Sequence, residues 1–237
     1  MTEGLFEEYG DRYYESIDAT AVRSAEVMVP LVLELTGARS VVDVGCGTGT
    51  WLRAFEERGV DDYVGIDGPH VESDALRIPA DRYLARNLEQ SFRLERRFDL
   101  VVSLEVAEHL AEEAASDFIE SLAHLGPLVL FSAAIPFQGG THHVNEQWPD
   151  YWAGLFREHG FVAVDCIRRR VWDDDRVEWW YAQNTLLFAT SGRLNELPAL
   201  SGEYELMGTS QPLSLVHPRK YLYCVDWGMK VQAGEHD

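Results

Sequence analysis

Along this 237-residue chain, short and nearly continuous apolar runs alternate with longer stretches in which apolar residues recur every three or four positions. The runs at 40–45, 62–67, 82–85, 98–104 and 127–134 have the length and β-branched content of buried strands. The stretches 50–58 and 109–124 between them have helical spacing. Strands alternating with helices predict an α/β fold, doubly wound around a mostly parallel sheet. Trp148 to His159 reads as a further helix stopped by Gly160. Two β-rich runs, Phe161 to Val171 and Gln183 to Thr190, bring the sheet to seven strands with an antiparallel edge.

The flanks are less regular. Ala21 to Leu35 predicts an amphipathic helix interrupted by Pro30, and residues 1–20 mix acids with Phe6, Tyr9, Tyr13 and Tyr14, some spaced to share a helix face. Residues 191–237 are broken by Gly192, Pro198, Gly202, Gly208 and Pro212, with only Lys220 to Trp227 strand-like. A single domain is expected, with an N-terminal helical segment over 1–36, a core over 37–190 and a C-terminal extension over 191–237 that wraps the core or covers part of a site.

The first strand ends in VVDVGCGTG, in which Asp43 precedes Gly45, Gly47 and Gly49. Three glycines at alternate positions let the backbone turn sharply and let a ligand lie against bare peptide. The helix that follows aims its positive end at the turn. A dinucleotide fingerprint places its third glycine three residues after the second, whereas Gly49 follows Gly47 by two; no lysine follows to make a phosphate loop.

This D-x-G-x-G-x-G pattern resembles motif I of the class I S-adenosylmethionine-dependent methyltransferases. The resemblance implies S-adenosylmethionine as the cofactor, held around Asp43, Gly45, Gly47 and Gly49. It gives Asp67, the acid ending the second strand, to the ribose hydroxyls. Asn87 and Leu88 then face the adenine, with Asn87 where the family more often has an acid, and Glu105 stands at the cofactor edge of the fourth strand. It also implies an N-terminal lid in which Arg12 or Tyr13 touches the cofactor.

A second constellation follows the fourth strand. If a helix begins there, Glu105, Glu108 and His109 share one face. Two carboxylates about 4 Å apart repel by roughly 4 kcal/mol at an effective dielectric of 20, so they call for a cation between them or a proton on one. The fifth strand opens into FQGGTHHVNEQW, which carries His142 and His143. The pattern resembles metal-dependent O-methyltransferases, namely small-RNA 3′-terminal 2′-O-methyltransferases and ubiquinone-pathway catechol O-methyltransferases. That resemblance implies Mg2+ or Mn2+ on Glu105, Glu108, His109 and His143, with His143 favoured over His142 because Glu146 follows it by three. Without a metal, a loop histidine is the general base, and Glu105 to His109 is a cap or a cofactor-side contact.

Trp148, Tyr151, Trp152, Trp179, Trp180 and Tyr181 are divided between core packing and lining a ring-bearing acceptor. Arg168, Arg169 and Arg170 read as a charged strand edge or as a clamp for an anionic acceptor group. The segments VEWWYAQNTLLFA, GGTHHVNEQWPDYW and SLVHPRKYL look like a bacterial and archaeal methyltransferase group often associated with glycan assembly, which implies a saccharide or another hydroxylated small molecule as acceptor. A uronic-acid carboxylate, an RNA 3′ terminus and a non-catalytic cofactor-binding role are the alternatives.

The net charge of −20, from 40 acids against 20 bases with only Lys220 and Lys230 as lysines, argues against nucleic acid as partner, for want of a basic footprint. No apolar run approaches the length of a membrane span, and the acidic N-terminus is unlike a signal peptide, so a cytoplasmic protein is expected. Cys46, Cys166 and Cys224 fit neither a disulfide framework nor a zinc pattern and are expected to pack.

Overall fold

The structure, a computed structural model, describes residues 11–208 and 211–233. Phe6 and Tyr9 lie outside the described residues, as do the side chains of Arg12, Tyr13 and Tyr14. The chain begins with a long helix, α1 (Asp11–Thr36), and then alternates: β1 (Ser40–Val44), α2 (Thr50–Glu56), β2 (Asp62–Asp67), β3 (Tyr83–Ala85), β4 (Leu100–Leu104), α3 (Ala115–Leu125), β5 (Leu128–Ser132), α4 (Pro149–Glu158) and β6 (Phe161–Val164). Two short helices, α5 (Arg168–Val171) and α6 (Trp179–Asn184), lead into β7 (Leu186–Thr190). Then come α7 (Ser191–Glu196), α8 (Pro198–Met207) and α9 (Pro218–Ala233).

The seven strands lie in the order β3-β2-β1-β4-β5-β7-β6. All pairs are parallel except those of β7, which runs antiparallel to both β5 and β6. The antiparallel strand is therefore inside the sheet, between β5 and β6, rather than at its edge. All five residues of β4 and of β5 are buried, as expected of central strands covered on both faces. On β1, Val41 faces one cluster with Met28, Val32, Leu52 and Phe55 of α1 and α2. Val42 and Val44 face the other, with Phe118, Leu122 and Phe156 of α3 and α4. Phe156 stacks on Phe188 at 4.1 Å and is fully buried; its truncation to Ala would cost about 3–5 kcal/mol.

Chain order reverses between β1 and β4, so their carboxyl ends open a crevice at a switch point, where ligands of such sheets bind. Two predicted strands are shorter than expected. After Val164 the chain turns into α5, because Arg168 pairs with Asp165 three residues back and both are buried. Ahead of Leu186, Gln183 and Asn184 belong to α6 and spend their amides on a buried network.

Lys220 to Trp227 is helical, not a strand. Pro218 opens the helix and His217 Nδ1 accepts from the Arg219 amide, a start signal that outweighs the β-prone aromatics. The helix expected over 109–124 begins only at Ala115, after a separate 3-10 turn at 107–109 and a second at 112–114 that runs directly into it. α1 runs straight through Pro30. Cys46 and Cys166 are buried, while Cys224 is exposed. Among the described residues no helix is long and apolar enough to cross a membrane.

Candidate cofactor crevice and acceptor edge

The turn after β1 is built on Gly45, Gly47 and Gly49, all with left-handed backbone (φ 83°, 52° and 91°). A Cβ at Gly45 would lie 2.3 Å from Val106, and one at Gly49 2.9 Å from Ile78; at Gly47 it would meet nothing within 4 Å. Packing thus demands the outer glycines, whereas at Gly47 the demand is conformational and the peptide faces open space.

Asp67, at the end of β2, accepts from the Gly47 amide and from the Gly68 amide, each at 2.6 Å. Asp43 is buried, and its Oδ2 has no hydrogen-bond partner. Burial, and then the Asp67 carboxylate, hold its pKa well above the usual carboxylate range. An orphaned acid beside a second acid suits a ligand that brings positive charge, as the sulfonium and amino groups of S-adenosylmethionine do. Asn87 is exposed near the same end of the sheet, next to buried Leu88; its Oδ1 accepts from the Glu89 amide at 3.0 Å, and the adjoining Arg86 amide donates to the Asp67 carbonyl.

Across the crevice, Glu105 leaves β4 in left-handed conformation (φ 55°), its amide bonded to Ser132. Its carboxylate accepts from Gln138 Nε2 at 3.0 Å and from Asn184 Nδ2 at 3.1 Å. Burial pushes this carboxyl up, and the donated hydrogen bonds pull it part of the way back. Val106 is not helical, so the predicted common helical face for Glu105, Glu108 and His109 does not form.

Instead a single 3-10 turn projects Glu108 and His109 toward His143, and one ligand atom from each lies within 4.8 Å of the others. Of the four residues expected to ligate a metal, three come together, and Glu105 turns its carboxylate to amide donors. Glu108 is 0% exposed, with neither carboxylate oxygen in a well-formed hydrogen bond. Burial first and Glu105 second raise its pKa well above the usual range.

His143 is oriented by Glu146, Nδ1 to Oε1 at 2.9 Å, and its ring meets His109 edge-on at 4.9 Å. The surrounding protein, and then His143, lower the His109 pKa although the residue keeps solvent access. The loop is drawn in by the Val144 and Asn145 amides, which donate to the Glu108 carbonyl. His142 is exposed, with φ 60°, and lies outside the three-residue group.

A carboxylate without a well-formed hydrogen bond, together with two imidazoles, is a donor set that fits a divalent cation, and equally one that a proton on Glu108 would neutralise. Gln138 and Asn184, which hold Glu105, and Gln183, which donates to both of them, carried no signal in the sequence beyond an amide pair after an aromatic run. Of the aromatics, Trp152 and Tyr181 are core residues, against Phe131 and Trp51 respectively, while Trp148 is exposed. Arg168 is buried, and Arg169 and Arg170 both pair with Glu203, so these three are neither a strand edge nor a clamp for an acceptor.

Comparisons with known proteins bear on the family and the fold. A family model described as a methyltransferase domain matches residues 21–184. A dTDP-3-amino-3,4,6-trideoxy-alpha-D-glucopyranose N,N-dimethyltransferase of Streptomyces venezuelae is 30% identical over 138 residues, 56% of this chain and 51% of the relative. The chain thus spans about half the length of the curated relative it matches. An O-methyltransferase family protein from Burkholderia thailandensis superposes with a TM-score of 0.53 at 19% identity, over 77% of this chain and 60% of that one. Magnesium protoporphyrin IX methyltransferase from Synechocystis PCC 6803, with bound SAH, superposes with a TM-score of 0.51 at 18% identity, over 75% and 88%. Both structural likenesses bear on the fold. With the family model matching residues 21–184, most of the core, the chain belongs to the methyltransferase domain family, of the class I S-adenosylmethionine-dependent type.

Proposed function

We propose that this chain transfers the methyl group of S-adenosylmethionine to a hydroxyl oxygen of a saccharide or another hydroxylated small molecule. The observation that carries the reading is the Glu108, His109 and His143 group, at the carboxyl ends of β4 and β5 and opposite the glycine turn. Gly47, Asp43 and Asp67 hold the cofactor, and Asn87 and Leu88 border its base. His143, steered by Glu146 at Nδ1, takes the acceptor's hydroxyl proton at Nε2. The acceptor oxygen attacks the methyl carbon in line, the carbon–sulfur bond breaks, and its electron pair returns to sulfur, giving S-adenosylhomocysteine. The protein's share is alignment of the two reactants. Were a divalent ion, Mg2+ or Mn2+, held on Glu108, His109 and His143, His143 Nε2 would be a ligand instead of the proton acceptor, and the ion would supply the acidification of that hydroxyl in its place.

A second reading is favoured by the Streptomyces relative, whose name describes N,N-dimethylation of an amino sugar: the acceptor atom is then a sugar nitrogen. Both are tested by incubating the protein with methyl-labelled S-adenosylmethionine and neutral saccharides, uronic acids and amino-sugar nucleotides, with and without Mg2+, Mn2+ or a chelator. Label that survives alkali on a neutral sugar supports the oxygen reading. Label only on amino sugars establishes the nitrogen reading, alkali-labile label establishes a carboxyl ester, and cofactor binding with no transfer to any acceptor leaves a non-catalytic binder.

A further inference from the structure

We infer that Lys220 of α9 is a positioning residue for the acceptor edge, clamping the loop after β5 through Gln138 and so fixing Glu105. The inference takes the site itself from the function proposed above. The family model ends at residue 184, so Lys220 belongs to a part of the chain outside the shared core.

Lys220 is 5% exposed, and its Nζ donates to the Gln138 carbonyl at 2.6 Å. Its remaining surroundings include the rings of Trp179 and Tyr223, at 5.9 and 5.2 Å from Nζ, and among the described residues it forms no ion pair. Burying an ammonium against one carbonyl and two rings forfeits hydration that a methionine of similar length would never have had. What the charge adds is the bond to Gln138.

Gln138 is where that bond has most effect. It sits between Phe137 and Gly139, both with positive φ, and its side chain is fully engaged. Nε2 donates to Glu105, while Oε1 accepts from the Ile135 amide, Gln183 and Asn184. A shift of Gln138 therefore takes from Glu105 one of its two amide donors, and Glu105 itself sits in a conformation that non-glycine residues seldom hold unaided. The same stretch of chain is fastened beside Lys220, where the His217 amide donates to Gln183 Oε1 and Leu213 accepts from buried Arg168. The C-terminal segment thus reaches the acceptor edge twice through one buried amide cluster.

The test is amide hydrogen exchange on the full chain saturated with S-adenosylhomocysteine, comparing the native protein with Lys220→Met and Lys220→Arg. In Lys220→Met, exchange over 135–147 should rise at least tenfold while β1 and β5 keep their protection and cofactor affinity stays within twofold. Lys220→Arg, which restores a charged donor, should return the loop to within threefold of native. Unchanged exchange in the loop, acceleration spread equally over β5 and β7, or failure of arginine to rescue would each make Lys220 a packing residue and overturn the inference. If Lys220→Met does not fold, Lys220→Gln, polar but too short to reach, takes its place with the same expectations. None of these readouts needs an acceptor, so absence of methyl transfer would sink the functional reading while leaving this one to stand or fall alone.

Discussion

The backbone amide of Gly47 donates to the carboxylate of Asp67 across 2.6 Å, joining the turn after β1 to the end of β2. One oxygen of that carboxylate thus fixes the turn while the other accepts from Gly68. The acid has a structural duty before any ribose reaches it.

Asp67→Ala should therefore weaken S-adenosylhomocysteine binding by about 10- to 100-fold, the ~1.5–3 kcal/mol of a hydrogen bond to a charged group. Gly47→Val, which forces a β-branched residue to φ 52°, should be at least as severe. Titration calorimetry measures both, and native affinity in Asp67→Ala would remove the aspartate from the cofactor site.

Glu108 gives a prediction with a sign. Its pKa is raised on folding, so the folded chain holds a proton that the unfolded chain releases above about pH 4.3. Stability from this group is fully present below that pH and is lost as pH rises toward the raised value. Buried Asp43 acts in the same direction. Glu108→Gln should remove part of this slope and gain about 1–3 kcal/mol at pH 8 in the presence of a chelator. Urea melts at pH 5 and 8 decide it; an equal slope in both proteins would mean that Glu108 is not a strained acid.

The same residue separates binding from transfer. Glu108→Ala should leave cofactor affinity within twofold and lower methyl transfer by at least a hundredfold once an acceptor is found, and full activity would dissolve the acceptor-side assignment.

Gly140 has ordinary backbone, yet a Cβ there would fall 2.3 Å from His143 Nε2. Gly140→Ala should push the imidazole aside and reduce turnover by about 100-fold, since ångström-scale misplacement is enough for that, with cofactor affinity unchanged. Steady-state kinetics beside calorimetry will show whether only the first responds.

Arg168 and Asp165 are 1% and 3% exposed and pair at 2.6 Å. Arg168→Met strands the aspartate and frees the carbonyls of Gln183 and Leu213, for a loss of about 3–5 kcal/mol in urea unfolding. Adding Asp165→Asn should recover part of it.

Sheet and glycine turn were legible because each is local: buried runs of five or six residues, and a motif whose spacing is its meaning. The acceptor edge was legible only as residue types. Glu108, His109 and His143 stood out as potential ligands, but the helical geometry assumed for Glu105 failed at Val106, and nothing in the sequence shows that Glu105 would face Gln138 and Asn184. The arginine triplet and Lys220 to Trp227 misled for one reason. Their strand-like composition was overridden by short-range contacts, Asp165 three residues before Arg168 and Pro218 with the His217 cap ahead of Lys220, and partners farther along, Glu203 and Gln138, then hold the side chains.

The two sides of the crevice also differ in when they can exist. The tie between Gly47 and Asp67 spans 20 residues, whereas Asn184 lies 79 residues from Glu105 and Lys220 lies 82 from Gln138. A chain emerging from the ribosome can close the glycine turn soon after its second strand is made. The acceptor edge has to wait until residue 220 is synthesised and loop closure over some eighty residues is complete. A nascent or truncated chain would thus own the cofactor's cradle long before it owned an edge able to direct the methyl group.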